Sequence, residues 1–324
     1  MLIPPKYNLT PEIVTLLNSI DASREVIDSI NIPTEIERNI RRQSTLRSSL
    51  FSARIEGNEL TLEDLFGTSE RQKKAEVMNV LSAINWINSR KSKDLTLKDL
   101  LTLHDMAMKG LSTEAGKWRR EQSATFNAAG IAVYMHPPPP KVEGMVARLL
   151  KYVNGDKEGF APIRASLAHY SFEKIHPFLD ANGRVGRLLV QQILAQDGYG
   201  MKGLLAFEEY IDNHRSEYYR ALEEPEKDAT DYLIFMLTAV SETARKAKEL
   251  VLTKQEVSAL DFLLPRRAEI YQVIKDQKQV NFDQIRRRFM KVNARTLRYD
   301  LKKLQDGGFV TKLGATRGVY YKAA

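Results

Sequence analysis

The chain has 324 residues, 43% of them hydrophobic, which allows about two domains with buried cores and argues against disorder. It contains no cysteine, which excludes disulfide scaffolds, thiolate metal sites and cysteine nucleophiles. Because no long apolar run or signal-peptide pattern is present, we expect a cytoplasmic protein with no membrane partner. The net charge of +8 is uneven, since Asp261–Ala324 holds 15 basic and 6 acidic residues. A near-neutral body with a basic C-terminal segment predicts two functions, the second involving a polyanion.

Helical patterns cover most of residues 9–255. A capping box formed by Thr34 and Glu37 begins a helix whose apolar residues recur until Gly57 ends it. Thr61 and Thr96 are further N-cap candidates. The helices predicted after the first span 62–66, 97–108, 142–153, 163–175, 183–196, 213–222 and 228–250.

The helical pattern breaks between residues 112 and 141. Glycines and the four prolines at 137–140 exclude a continuous helix there. Residues 131–135 are predicted to form one short strand or one arm of a hairpin.

The C-terminal part begins after a predicted junction at residues 251–264. Three short helical patterns at 266–275, 282–290 and 294–305 precede two strand-like pieces at 309–313 and 318–321. Three helices followed by a hairpin is the order of a winged helix-turn-helix, and the alternative is a helical cap packed on the body.

The candidate catalytic and anion-binding residues are concentrated in a segment that begins with His176. Asp180 lies in a short loop, and Gly183 begins a helix whose N-terminus favours an anion. Arg184 and Arg187 add positive charge at a spacing of three. A histidine suits a general base near neutral pH, and a lone carboxylate beside a phosphate site is typical of Mg²⁺. The pattern predicts nucleotidyl or phosphoryl transfer, and the alternative is a buried histidine, an N-cap aspartate and surface arginines.

This segment, His176-Pro-Phe178-Leu-Asp180-Ala-Asn182-Gly183-Arg184-Val-Gly-Arg187, resembles the Fic family signature, His-x-Phe-x-Asp/Glu-Gly-Asn-Gly-Arg-x-x-Arg. The preceding Ala168-His169-Tyr170-x-Phe172-Glu173-x-Ile175 and the earlier Gly116-Lys-Trp-Arg119 are similar to the family as well. The resemblance therefore covers roughly residues 40–240. Ala181 departs from the usual glycine, which affects the backbone angle and removes no functional group.

The resemblance implies transfer of AMP from ATP to a Ser, Thr or Tyr hydroxyl of a protein, with release of pyrophosphate. His176 would deprotonate the hydroxyl, and Asp180 would hold Mg²⁺ between the α- and β-phosphates. Four residues would bind ATP, the first two at the α-phosphate and the arginines at the β- and γ-phosphates: Asn182, Gly183, Arg184 and Arg187. Phe178 is expected to anchor the loop in the core.

Two further elements of the family have counterparts here. A hairpin called the flap, which pairs with the target's extended chain, resembles residues 131–136, where Ile131, Val133 and Tyr134 are its candidate residues. Ser52-Ala-Arg-Ile-Glu56-Gly57 resembles the inhibitory motif Ser/Thr-x-x-x-Glu-Gly/Asn.

The physical basis of inhibition is the position of the glutamate. Ser52 and Glu56 share one helix face at the helix C-terminus, where a carboxylate needs a neutralising cation. Arg187 is the expected cation, and the pair would occupy the place of the γ-phosphate. The alternative is an exposed glutamate before a C-cap glycine.

The remaining histidines are predicted to have no role in the reaction. His169 lies two turns before His176, and we expect it to be a core residue, as we do for His104 and His136. His214 is predicted to lie at the surface.

Residues 293–304 resemble the recognition helix of winged-helix regulators. Arg295, Arg298 and Lys302 share one face, and Arg317 in the wing would reach phosphate. Duplex DNA is the predicted partner, and the alternative is a protein-docking module.

The predicted fold is mainly α: a Fic-type helical bundle with a short β-hairpin flap, plus a C-terminal winged helix-turn-helix domain. Its parts are an N-terminal helical region at 1–110 carrying the inhibitory helix (about 34–57), a Fic core at 111–250 and a winged-helix domain at 262–324. The predicted function is that of an autoinhibited protein AMP transferase with ATP as substrate and Mg²⁺ as cofactor. It would modify a target protein or itself, and a homodimer is left open. The alternatives are a nucleotide-sensing DNA-binding regulator and a de-AMPylating enzyme.

Overall fold

The computed structural model describes residues 1–30, 32, 34–66, 70–90, 92, 94–126, 130–155, 157–256, 263–290, 292–314 and 319–324. The chain divides into two compact units. Unit 1 comprises Met1–Ile30 and Arg41–Glu249, and unit 2 comprises Asn31–Ile40 and Leu250–Ala324. Within the described ranges, no helix has the length and apolar character needed to cross a bilayer.

The first part of the chain is helical. Four helices come first: α1 (Pro11–Ser29), α2 (Thr34–Ile55), α3 (Arg71–Ser89) and α4 (Leu97–Ala107). A short antiparallel hairpin follows, formed by β1 (Ala124–Phe126) and β2 (Ala132–Met135). The next helices are α5 (Pro139–Val153), α6 (Ala161–Ile175), α7 (Asn182–Gln196), α8 (Glu208–Asn213), α9 (Arg215–Leu222) and α10 (Thr230–Glu256).

Local signals explain several of these boundaries. Thr96 and Asp99 form a complete capping box at the start of α4. Gly57 follows the end of α2 with a φ of 94°, a left-handed conformation that glycine adopts at little cost. Helix α6 is buried almost all round, because it packs against both α5 and α7 at the centre of unit 1.

Three predicted boundaries are wrong. Helix α5 already begins at Pro139, because the first turn of a helix needs no backbone N–H partner and accepts proline. The helix predicted at 213–222 breaks at His214, whose φ and ψ of −127° and 38° are not helical. His214 is half-buried and stacks on Tyr210, so only part of it lies at the predicted surface position. Helix α10 continues to Glu256 into the predicted junction.

Unit 2 contains three helices and a small sheet after residue 263. These are α11 (Pro265–Asp276), β3 (Val280–Asn281), α12 (Phe282–Arg288), α13 (Ala294–Asp306), β4 (Val310–Leu313) and β5 (Tyr320–Ala323). The sheet is antiparallel in the order β3-β5-β4. The predicted order of helices and hairpin is present, while β3 was not predicted. The winged-helix assignment and the domain boundaries stay predictions.

Candidate active site

Segments that are far apart in sequence line a cavity of about 730 Å³ in unit 1. Its walls come from the α6–α7 loop, the start of α7, the end of α2, the β1–β2 hairpin and α9. The predicted site residues on its wall are Glu56, Val133, Tyr134, His176, Asp180, Asn182 and Gly183. The cavity is therefore the candidate active site.

The loop that carries His176 is fixed by buried side chains. Phe178 is fully buried and stacks on His104 and Trp118, with ring centroids 3.8 and 5.1 Å away, so it anchors the loop as predicted. Arg119 donates its Nε–H to the His176 carbonyl at 2.7 Å. His176 itself ends α6 with a φ of 50°, which places its ring at the turn into the loop.

Asn182 holds the same loop closed. Its Oδ1 accepts from the Phe178 N–H, and its Nδ2 donates to the Phe178 carbonyl, both at 2.9 Å. Both polar atoms of the Asn182 side chain are thus hydrogen-bonded to the loop backbone. This favours a positioning role for Asn182 over the predicted direct contact with the α-phosphate. Ala181 adopts a φ of 62°, so the residue that departs from the family pattern takes the left-handed conformation that suits glycine.

Arg187 is a fully buried cation that is hydrogen-bonded to residues at the end of α2 and directly after it. Its Nε donates to Ser52 Oγ at 3.1 Å, and its Nη2 donates to the Ser52 carbonyl and to Glu56 Oε1, both at 2.8 Å. Burial alone would lower the pKa of Arg187, but the Glu56 carboxylate raises it. The ion pair expected from the sequence is present. Arg184 is also buried and lies 3.3 Å from Asp180 Oδ1.

Glu56 reaches directly onto the start of α7. A Cβ placed on Gly183 would lie 2.3 Å from Glu56 Oε1 and 3.0 Å from Arg187 Nη1. A side chain at position 183 would therefore fit only if the glutamate moved. The carboxylate occupies the anion-favouring N-terminus of α7 that the sequence predicted for a phosphate.

His176 is uncharged near neutral pH, which is the form of imidazole that can accept a proton. Burial and the positive charge of Arg119 lower its pKa to about 4, although Asp180 and a backbone hydrogen bond with Glu173 oppose the shift. The imidazole is therefore neutral at pH 7. His136 was expected to be an ordinary core histidine, but its buried ring stacks on that of His176 with centroids 4.2 Å apart.

A second group of polar side chains extends from the cavity wall into the core, and the sequence analysis assigned it no role in the reaction. Burial raises the pKa of Glu173 to about 8, assisted by Glu56 and opposed by Arg187. Burial also lowers the pKa of His169 to about 3, and His169 Nε2 lies 2.8 Å from the Tyr218 hydroxyl. Glu173 and His169 are thus both neutral at pH 7, so their 3.6 Å contact is not an ion pair. In the sequence, Glu173 stood out only as part of the segment similar to the family, and no local pattern predicted its burial.

Asp180 is the predicted metal ligand. Its side chain is 66% exposed, and no group of three or more His, Cys, Asp or Glu in the described ranges could enclose a metal. A single open carboxylate fits Mg²⁺ only where a nucleotide supplies further oxygens, because Mg²⁺ commonly takes one or two carboxylates and fills its shell with phosphates and water.

The hairpin above the site is short and apolar on its surface. Its register pairs Ala124 with Met135 and Thr125 with Tyr134. Ile131 and Val133 are exposed, while Tyr134 is half-buried with the Lys174 ammonium 4.5 Å from its ring centre. Val133 and Tyr134 thus lie on β2 and on the cavity wall, whereas Ile131 precedes β2.

The predicted DNA contacts lie in unit 2. Arg295, Arg298 and Lys302 are exposed on α13, and the Arg298 guanidinium lies 4.5 Å from the Phe282 ring centre. Arg317 is outside the described residues. Sequence reasoning missed Asp300 on the opposite side of α13, which is buried and accepts hydrogen bonds from two arginines of α11, Arg266 and Arg267.

Comparison with known proteins gives the following similarities. Residues 94–194 match the model of the Fic/DOC family. Over 197 residues, the chain is 27% identical to "Protein adenylyltransferase Fic" of Drosophila yakuba, which covers 56% of this chain and 39% of that protein. The match thus spans about two fifths of the relative's length. The fold is similar to that of a Fic family protein from Desulfovibrio desulfuricans G20, with a TM-score of 0.68, 25% identity and coverage of 99% of this chain and 98% of that one. Fic-1 from C. elegans is similar in fold at a TM-score of 0.61, with 20% identity over 75% of this chain and 73% of that one.

Proposed function

The chain belongs to the Fic family, and we propose that it is a protein adenylyltransferase that moves AMP from ATP to a protein hydroxyl. The observation that carries this proposal is the joint placement of His176 and the start of α7 on one cavity. A neutral base and a helix N-terminus line this cavity, and the first two turns of that helix carry the buried Arg184 and Arg187. The relatives named as adenylyltransferases support the same chemistry.

The proposed reaction is a single displacement. The neutral imidazole of His176 accepts the proton of a Ser, Thr or Tyr hydroxyl, whose oxygen then bonds to the α-phosphorus. The bond from that phosphorus to the bridging oxygen breaks, and pyrophosphate leaves. Backbone N–H groups at the start of α7 stabilise the charge that develops on the phosphoryl oxygens. Asp180 would hold Mg²⁺, which supplies charge neutralisation for the phosphates.

We further propose that the described conformation is the inhibited one. Glu56 contacts Arg187 and covers Gly183, so a nucleotide would have to displace the glutamate before its terminal phosphate reaches the arginine. Glu56 is about one third exposed, whereas Arg187 is 1% exposed, so the glutamate is the partner free to leave. Inhibition would thus be reversed by removing one carboxylate.

The test is self-AMPylation of the full-length protein, measured by intact mass after incubation with ATP and Mg²⁺. Glu56→Gly is expected to raise the rate at least about tenfold, because Arg187 becomes available to ATP. Glu59→Gly serves as the matched control, because Glu59 is an exposed glutamate whose carboxylate lies 3.6 Å from Lys73 and not beside Arg187. His176→Ala in the Glu56→Gly background is expected to abolish transfer while ATP binding persists.

Two results would contradict these proposals. An unchanged or lower rate for folded Glu56→Gly would remove the inhibitory role, and transfer by His176→Ala would remove the base. If the protein instead releases AMP from an AMPylated substrate, the site acts in the direction of removal.

A second function, duplex DNA binding by unit 2, is favoured by the two faces of α13. On one face of α13 the basic side chains Arg295, Arg298 and Lys302 are exposed. On the other face Leu297, Leu301 and Leu304 are buried in the core of the unit. Each phosphate neutralised by a cation releases counterions, so binding is expected to weaken steeply with salt. Arg295→Ala should reduce the slope of log K against log salt by about 1. Arg220→Ala, at an exposed position of α9, should leave the slope unchanged. Salt-independent binding would favour protein docking.

A further inference from the structure

His136 lies at the base of the hairpin, directly before the proline run, and its ring faces that of His176. The two ring centroids are 4.2 Å apart and the planes are inclined by only 16°. The His136 side chain is buried, at 4% exposure. We infer that His136 is a positioning residue, which holds the imidazole of His176 in a single orientation and links that orientation to the hairpin. This inference rests on the proposed role of His176 as the base.

The His136 ring is itself held at both nitrogens. Its Nδ1 lies 3.1 Å from the Lys174 carbonyl oxygen, and because a carbonyl only accepts, Nδ1 carries the hydrogen. Its Nε2 lies 3.1 Å from Thr125 Oγ1 and accepts from that hydroxyl when the imidazole is neutral. The His136 backbone N–H donates to the Ser123 carbonyl at 3.1 Å. One residue thereby joins β1, the end of the hairpin and α6.

A face-to-face contact restricts what His176 can do. Rotation of the His176 side chain would separate the rings and expose His136, so the stack favours one rotamer. A general base must lie within hydrogen-bond reach of the hydroxyl, and misplacement by about 1 Å can lower turnover about 100-fold. The hairpin that is proposed to hold the target thus also holds the base.

Burial of the stacked rings favours the neutral form of both histidines. Two imidazolium rings at this distance would repel, and the interaction with His176 contributes to lowering the pKa of His136 to about 4, after burial. The charged groups around the pair are Arg119 and Lys174, which disfavour further positive charge, and Asp180, which favours it. Removal of the His136 ring opens His176 to water.

The experiment uses the full-length protein labelled with ¹⁵N and ¹³C in its five histidines. His176 signals are assigned by their loss in His176→Gln, and tautomer and titration are followed from pH 7.5 to 5. His136→Ala is expected to shift the His176 tautomer populations and to bring its titration midpoint into this range. His136→Phe, which keeps a flat ring, should stay close to the parent protein. His214→Ala is the matched control, because His214 also stacks on a ring but lies outside the cavity.

Turnover is measured in the Glu56→Gly background. His136→Ala should lower kcat about tenfold while KM for ATP changes less than about twofold, and His136→Phe should recover most of kcat. Identical His176 tautomer and titration in the parent and in folded His136→Ala would overturn the inference, as would equal kcat. If His136→Ala does not fold, His136→Phe and His136→Leu provide the same contrast of ring against no ring. Absence of transfer in every variant would count against the proposed function, while the spectra would still decide whether His136 holds His176.

Discussion

Helices α7 and α13 each carry two arginines at a spacing of three positions, yet the two pairs lie in opposite environments. Arg184 and Arg187 of α7 are buried, at 6% and 0% exposure. Arg295 and Arg298 of α13 are exposed. The spacing places each pair on one helix face, but it does not determine whether that face meets protein or water.

The contrast separates two ways of binding an anion. Arg187 has already lost its water and is held by Ser52 and Glu56, so a phosphate that displaces Glu56 meets a preorganised donor. The α13 arginines remain hydrated, and in the proposed binding of duplex DNA their affinity would come from counterion release. Burial therefore favours selectivity for one ligand group, whereas exposure favours general, salt-dependent attraction.

The largest expected effect is on the free energy of unfolding, when one arginine of each helix is truncated and the two losses are compared. Arg187→Ala should lower the free energy of unfolding by about 3 kcal/mol, because it breaks a buried network and leaves a cavity. Arg298→Ala should cost less than about 0.5 kcal/mol. Urea unfolding followed by circular dichroism measures both, and tryptophan fluorescence reports unit 1, which holds Trp86 and Trp118. Equal costs would mean that burial does not distinguish the two pairs.

Acid should affect the two units differently. The surroundings of α7 hold four histidines whose pKa burial lowers to about 3 or 4, namely His104, His136, His169 and His176. They also hold two glutamates whose pKa burial raises to about 8 and 7, Glu173 and Glu208. Unit 2 contains no histidine.

The sign follows from proton binding. Between about pH 4.5 and 6.5, the unfolded chain binds protons at the four histidines, whereas the folded chain binds protons at the two glutamates. The unfolded state therefore binds more protons than the folded state. The stability of unit 1 should fall by about 2 kcal/mol from pH 6.5 to 4.5. It should also decline from pH 6.5 to 8, since only the folded glutamates still hold protons. Urea midpoints from tryptophan fluorescence test this, and a midpoint that rises steadily toward pH 4.5 would contradict it.

The smallest expected effect concerns the helix starts. Ala181 precedes α7 in a left-handed conformation without a side-chain cap, whereas Asn293 caps α13 by accepting from the Arg295 N–H at 2.8 Å. Ala181→Gly should stabilise the protein by about 1 kcal/mol, because it relieves the strain. Asn293→Ala should destabilise it by about 1 kcal/mol. Thermal unfolding of both variants should give shifts of opposite sign, and shifts of the same sign would refute the contrast.

The motif predicted much of the site. Its residues are contiguous, so one local segment, a helix end, a loop and a helix start, places His176, Asp180 and Gly183 together on the cavity. The Glu56–Arg187 pair was predicted from the resemblance of Ser52–Gly57 to the inhibitory motif, together with the need of a carboxylate at a helix C-terminus for a cation. The stack of His136 on His176 was not, since no local pattern records which ring a distant imidazole will face.

The amino-acid sequence by itself determined the helical periods, the cap at Thr96, the basic face of α13 and the chemical groups of the motif, because these depend on neighbours within a few residues. The tertiary structure alone decided which of these groups lost their water. Arg187 and Glu173 are ordinary helical residues until α2, α6 and α7 pack together. Desolvation depends on atoms contributed by distant segments, so the shifted pKa values of Glu173 and His176, and the reactivity they imply, arise only on folding.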